Sequence, residues 1–241
     1  MLEQFSRTQL LLGDEAIEKL QNARVAVFGV GGVGGYVCEA LARCGVGAID
    51  IVDNDTVCLS NLNRQIIATH KTIGRYKTDV MEERIHDINP ECKVTSHRCF
   101  FLPETAEEFD FKAYDYVVDA VDTVTAKIEL VMKCNETGTP IISSMGAGNK
   151  LDPTAFKVAD IYKTNVCPLA KVMRRELKKR GIHKLKVVYS EEKPISNAEN
   201  AGVHEENAGV RKKSVPGSIA FVPSVVGLII GGEVVKDLLN I

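Results

Sequence analysis

No two of the seven cysteines (Cys38, Cys44, Cys58, Cys92, Cys99, Cys134, Cys167) have Cys-x-x-Cys spacing. That excludes a zinc ribbon or thioredoxin-like motif, so no structural zinc is expected, and free thiols in a reducing cytoplasm are. Net charge is only −2, so any basic site must be a local patch. No apolar run reaches the roughly 20 residues that span hydrocarbon, so no membrane span is expected. The candidate run Ile219–Ile230 leads to Glu233, Lys236 and Asp237; it reads as a buried strand end and then a core helix, with Pro223 in the first turn. Met1–Arg7 lacks the apolar stretch of a signal peptide, and no internal repeat is visible. What remains is 241 residues with 45% hydrophobic content, enough to bury the core of one large α/β domain.

The most informative stretch begins with Val25-Ala26-Val27-Phe28, a buried-strand pattern running into Gly29-x-Gly31-Gly32-x-Gly34. Gly29 allows a tight turn, Gly31 lets backbone approach a phosphate, and Gly34 lets the next helix pack on the strand. The amino end of that helix favours an anion. Asp53 ends a second strand (48–53), where a carboxylate reaches ribose hydroxyls. A glycine-rich turn without ligand is the plain alternative.

Further strands are expected near 92–97, 116–119, 140–145, 155–161 and 185–189. Helices are expected over 14–22 (capped by Asp14), 34–44, 77–88, 123–137 and from Pro168. Strand alternating with helix implies a Rossmann-like α/β fold, its mostly parallel sheet covered by helices on both faces. Residues 1–150 form the nucleotide half. A smaller α/β part, 151–241, holds a basic helix (168–181), a mobile loop (190–217) and a closing core helix, the whole being one continuous domain.

A dinucleotide needs an open path after Asp53. Here Asp55, Ser60, Asn61, Asn63 and Arg64 follow it, and Lys77 opens the next helix. A guanidinium and an ammonium suit a tri- or pyrophosphate. Asp122 lies past the strand at 116–119, on the carboxyl edge where ligands bind, and could hold Mg²⁺. The bland readings are a helix N-cap for Asp122 and surface charge for Lys77.

Arg7, the glycine turn, Asp53-x-Asp55, Ser60-Asn61-Leu62-Asn63-Arg64-Gln65, Gly74-x-x-Lys77, Asn89-Pro90 and Asp119-x-x-Asp122 together resemble the ThiF/MoeB/ubiquitin-activating superfamily. The resemblance implies adenylation of a carboxylate with ATP and Mg²⁺. Gly31 and its neighbours Gly29, Gly32 and Gly34 would bind phosphate and Asp53 the ribose. Asn61, Arg64 and Lys77 would contact phosphates, Arg64, Lys77 and Arg7 also serving catalysis, and Asp55, Ser60 and Asn63 would complete the ATP site. Asp122 would serve Mg²⁺ and catalysis, and Arg7 would reach across a homodimer to the partner's ATP. An exposed terminal arginine is the alternative for Arg7.

The second half narrows the substrate. Val158–Gly181 and Pro216–Ser224 resemble the tRNA threonylcarbamoyladenosine dehydratase family. That resemblance implies cyclisation of a modified adenosine beside the tRNA anticodon. Between Lys171 and Lys186 eight basic residues, including Lys171, Arg174, Arg175, Lys178, Lys179 and Arg180, face Glu176 alone. Such a face suits an RNA backbone, or is a solvated helix surface. Cys167, at the start of this helix, is either a sulfur-relay or nucleophilic thiol or a buried, incidental one. Adenylation of a sulfur carrier's terminal glycine, or a non-catalytic sulfur-transfer scaffold with a relay partner, are the competing functions.

Overall fold

Side chains along each strand alternate between two helical layers, and this alternation organises the computed structural model, which describes residues 3–195 and 216–241. The strands are β1 (Arg24–Phe28), β2 (Ala48–Val52), β3 (Lys93–His97), β4 (Tyr116–Asp119), β5 (Ile141–Ser144), β6 (Phe156–Asp160) and β7 (Lys186–Ser190). They form one sheet in the order β3-β2-β1-β4-β5-β7-β6, parallel except for β6 against β7. The order reverses direction between β1 and β4, the switch point where open α/β sheets take ligands.

The helices are α1 (Ser6–Leu12), α2 (Asp14–Asn22), α3 (Gly34–Cys44), α4 (Lys77–Ile88), α5 (Val124–Thr137), α6 (Pro168–Lys179) and α7 (Phe221–Leu239). Val25 and Val27 of β1 pack into the core shared with α3, α4 and α7. Ala26 and Phe28 point the other way, toward Phe101, Phe109, Phe111 and α5. Phe28 meets Phe101 edge-on at 4.9 Å between ring centroids, an arrangement that aromatic quadrupoles favour. Among the described residues no helix is long and apolar enough to cross a membrane.

Three expectations change. Asp14 is the first residue of α2, not its cap; Gly13 holds that position without a side-chain bond. No strand forms over 216–220, so α7 is entered from irregular chain. Of the expected loop 190–217, residues 196–215 lie outside the described residues; Ser190 still belongs to β7.

Two contacts fix the layers under the site. The first brings α7 onto α3. A Cβ at Gly227 would lie 2.4 Å from the Val33 carbonyl oxygen, and one at Gly231 would lie 2.6 Å from the Ala40 Cβ. Glycine spacing of four thus lets the two helices approach at backbone distance. The second is a buried ion pair. Lys127 Nζ of α5 donates to Asp119 Oδ1 at the end of β4 at 2.9 Å, with both side chains at most 1% exposed. The same oxygen accepts from Val121 N, so the pair also shapes the turn that carries Asp122.

Gly227→Ala is expected to lower the free energy of unfolding by about 1–3 kcal/mol through overpacking. Lys127→Met strands a buried carboxylate and is expected to cost about 3–5 kcal/mol. Denaturant titrations check both, and unchanged midpoints would refute the two contacts.

Candidate functional site

A cleft of about 540 Å³ opens at the carboxyl ends of β1, β2 and β4. One wall is the glycine turn. Gly29 adopts φ +91°, and a Cβ there would meet the Ala120 carbonyl oxygen at 2.7 Å. A Cβ at Gly34 would strike the Gly29 carbonyl oxygen at 1.8 Å, so Gly34 is behind the cleft, at the start of α3. Gly31 is open on its Cβ side, with only Gln65 Nε2 at 3.9 Å, and Gly32 rests on Pro223 and Arg64.

Asp53, just past β2, accepts from Val30 N at 2.7 Å and from Asp55 N at 2.9 Å. It therefore braces the glycine turn as well as facing the cleft. Burial pushes its carboxyl above the usual range, against the pull of Lys77. Lys77 is 6% exposed at the first position of α4. Its ammonium lies 2.7 Å from Asp55 Oδ2 and 3.9 Å from Asp53 Oδ1. It is thus no loose surface charge; two carboxylates aim it into the cleft.

Arg64 lines the cleft, and among the described residues its guanidinium is held by neutral oxygens, Ser60 O and Asn63 Oδ1, each at 2.9 Å. Asn61 also lines it, 7% exposed, with Oδ1 accepting from Cys58 N at 3.2 Å. Ser60 and Asn63 stand behind Arg64 and outside the lining. Asp122 is exposed at the rim, where among the described residues it accepts from Thr123 Oγ1. Thr123 is the N-cap residue of α5, so the capping alternative for Asp122 falls. Arg7 is exposed on α1, away from this lining, beside Leu10 and Leu11 at 89% and 82% exposure.

Sequence reasoning passed over Gln65, whose buried Oε1 has no partner among the described residues. Its place beside the asparagines in the 60–65 motif was the available signal. It also missed the far wall, built by Ala147, Gly148, Gly217 and Ser218. Gly217 and Ser218 fall in the Pro216–Ser224 stretch, but its pattern does not say that it meets the cleft; hydrogen bonds between Asn149 and Gly217 bring the two parts of the wall together. The cradle fits a nucleotide: open backbone at Gly31, an unpartnered buried acceptor, two cations and a rim carboxylate.

Helix α6 is less uniformly basic outside than its sequence implies. Arg174 turns inward to Thr164. Arg180, Lys179 and Arg175 converge on Glu176 and hold its carboxyl down to about 2. Lys171 and Lys178 are exposed, without an acidic partner among the described residues. The helix ends near the amino edge of the sheet, since Tyr162 Oη reaches Ile182 O and Ile161 N bonds Leu185 O. A second hollow of about 650 Å³ lies at that edge, lined by Lys184 and Lys186, opposite the glycine cleft. Cys167 is 2% exposed, in the apolar cluster with Ala170 and Met173, which supports the incidental reading of this thiol.

The ThiF family model matches residues 5–241. A tRNA threonylcarbamoyladenosine dehydratase of Bacillus subtilis is 52% identical over 244 residues, covering 100% of this chain and 96% of that protein. One from Escherichia coli is 42% identical over 176 residues, covering 73% of this chain and 66% of that protein. The crystal structure of E. coli TcdA in complex with ATP superposes with a TM-score of 0.88 at 34% identity, over 99% of this chain and 94% of that one. The chain belongs to the ThiF family, in its tRNA threonylcarbamoyladenosine dehydratase branch.

Proposed function

We propose that this protein uses ATP to cyclise the threonylcarbamoyl-modified adenosine beside the tRNA anticodon. The observation that carries this is the convergence of Arg64, Lys77 and Asp122 on one glycine cradle, in a chain similar over its whole length to tRNA threonylcarbamoyladenosine dehydratases.

The reaction needs two displacements. A threonyl carboxylate oxygen attacks the α-phosphorus of ATP, and pyrophosphate leaves. The carbamoyl group of the same modification then attacks the activated carbonyl, closing a ring. AMP departs with the former carboxylate oxygen, so the nucleoside loses one water in net. Because the second nucleophile is already in the substrate, orientation replaces a catalytic thiol. The buried state of Cys167 accords with that.

The residues divide the work as follows. Gly31 and Gly32 present backbone to the phosphates at the amino end of α3. Arg64 and Lys77 stabilise phosphate charge, Arg64 having no acidic partner among the described residues to compete with a phosphate. Asp53 serves the ribose side and Asp55 keeps Lys77 in place. Asp122 would hold Mg²⁺ together with phosphate oxygens, and the ion would supply further charge neutralisation. Lys171, Lys178 and their neighbours Arg175, Lys179 and Arg180 contact the RNA backbone, while Arg174 secures the helix. Arg7 acts across a homodimer, and exposed Leu10 and Leu11 supply apolar surface for its interface. The setting is the cytoplasm, where seven unbridged cysteines are stable.

Incubation with MgATP and tRNA carrying the modification is expected to remove one water from the nucleoside, read by mass spectrometry. No loss, with pyrophosphate exchange stimulated instead by a carrier ending in glycine, would replace this reading. Asp122→Ala is expected to lower turnover by about 100-fold or more; turnover at the wild-type rate would remove its assignment. Lys171→Glu with Lys178→Glu is expected to weaken tRNA binding and flatten its salt dependence, leaving ATP affinity unchanged. Unchanged tRNA binding would detach α6 from the substrate.

A further inference from the structure

Arg64 is unusual among the cleft cations in having no acidic partner among the described residues, so something neutral must aim it. Its Nη1 donates to Asn63 Oδ1 at 2.9 Å, and Asn63 Nδ2 in turn donates to Ser218 O at 2.9 Å. Ser218 follows Gly217, and Gly217 is gripped twice by Asn149. Gly217 N donates to Asn149 Oδ1 at 2.6 Å, and Asn149 N donates to Gly217 O at 2.8 Å. Asn149 O also accepts from Ile195 N at 2.8 Å. One residue thus joins three separate stretches of chain.

The backbone is bent for this purpose. Asn149 adopts φ +57°, in the left-handed region where non-glycine residues are uncommon. At Gly148 a Cβ would lie 2.8 Å from the Pro216 Cβ, so only glycine permits the approach. Both Gly148 and Gly217 line the cleft. A carboxylate at this point would also orient a guanidinium, but would neutralise it. An amide and carbonyl relay fixes the direction of Arg64 and leaves its charge for an anion.

We propose that Asn149 is a positioning residue, setting Arg64 for the nucleotide's phosphates through Gly217, Ser218 and Asn63. The inference rests on the proposed phosphate role of Arg64 and adds a dependence of nucleotide affinity on a residue in another part of the chain.

The test is calorimetric titration of MgATP into the folded protein without tRNA. Asn149→Gly keeps the left-handed backbone and removes Oδ1; Asn149→Asp keeps the acceptor. Asn149→Gly and Asn63→Ala are each expected to weaken MgATP binding about tenfold. The double variant is expected to be no weaker than either single one, because the relay acts as a unit. Asn149→Asp is expected within about threefold of wild type, by the same hydrogen-bond argument. Should the glycine variant fail to fold, Asn63→Ala still cuts the relay at its Arg64 end. Wild-type affinity in the variants lacking Oδ1, or independent effects that multiply in the double variant, would overturn the relay. Absence of water loss from the nucleoside would refute the dehydratase reading and leave this result standing. A wild-type protein that does not bind MgATP would sink both.

Discussion

Three backbone segments meet at a point where no side chain fits. The Gly29 carbonyl oxygen occupies the space of a Cβ at Gly34, and the Ala120 carbonyl oxygen crowds that of Gly29. Because of this approach the end of β1, the start of α3 and the turn after β4 share one small volume. The rest of the site is placed from there. Val30 N reaches the Asp53 carboxylate, which in turn receives Asp55 N and faces Lys77. Ala120 stands two residues before Asp122. A methyl group at either glycine would push these groups apart by more than a hydrogen bond tolerates.

Charge in the chain follows a division that burial enforces. Two buried carboxylates have partners: Asp119 has Lys127, and Asp50 has the Arg24 guanidinium and the His97 ring nitrogen. Burial alone would raise the Asp50 carboxyl, but the His97 and Arg24 hydrogen bonds outweigh it and hold it low. In the cleft, half-buried Arg64 is supported by neutral oxygens among the described residues, and Asp122 stands exposed at the rim beside the Thr123 hydroxyl. Charges left uncompensated beside a preorganised backbone are available to a charged ligand.

Legibility in the sequence tracked the range of the interactions. The glycine turn, the strand–helix alternation and the place of Lys77 at a helix start are local patterns, and all could be read directly. Long-range pairing could not. Asn63 reads as another polar residue of the 60–65 motif, yet its amide is engaged with Ser218, 155 positions away. The far cleft wall at 147–148 and 217–218 is joined by the hydrogen bonds between Asn149 and Gly217, 68 positions apart, which no short window encodes. The charge count on α6 was legible. Its partial cancellation through Glu176 was not, since helical side chains three and four apart must be placed before pairs can be assigned.

The direction of α6 has a consequence for scale. Twelve helical residues span about 18 Å, and this helix ends by the amino edge of the sheet while the glycine cradle opens at the carboxyl edge. On the proposed reading, a ligand that meets both the carboxyl end of this helix and the cradle must reach across the depth of the sheet.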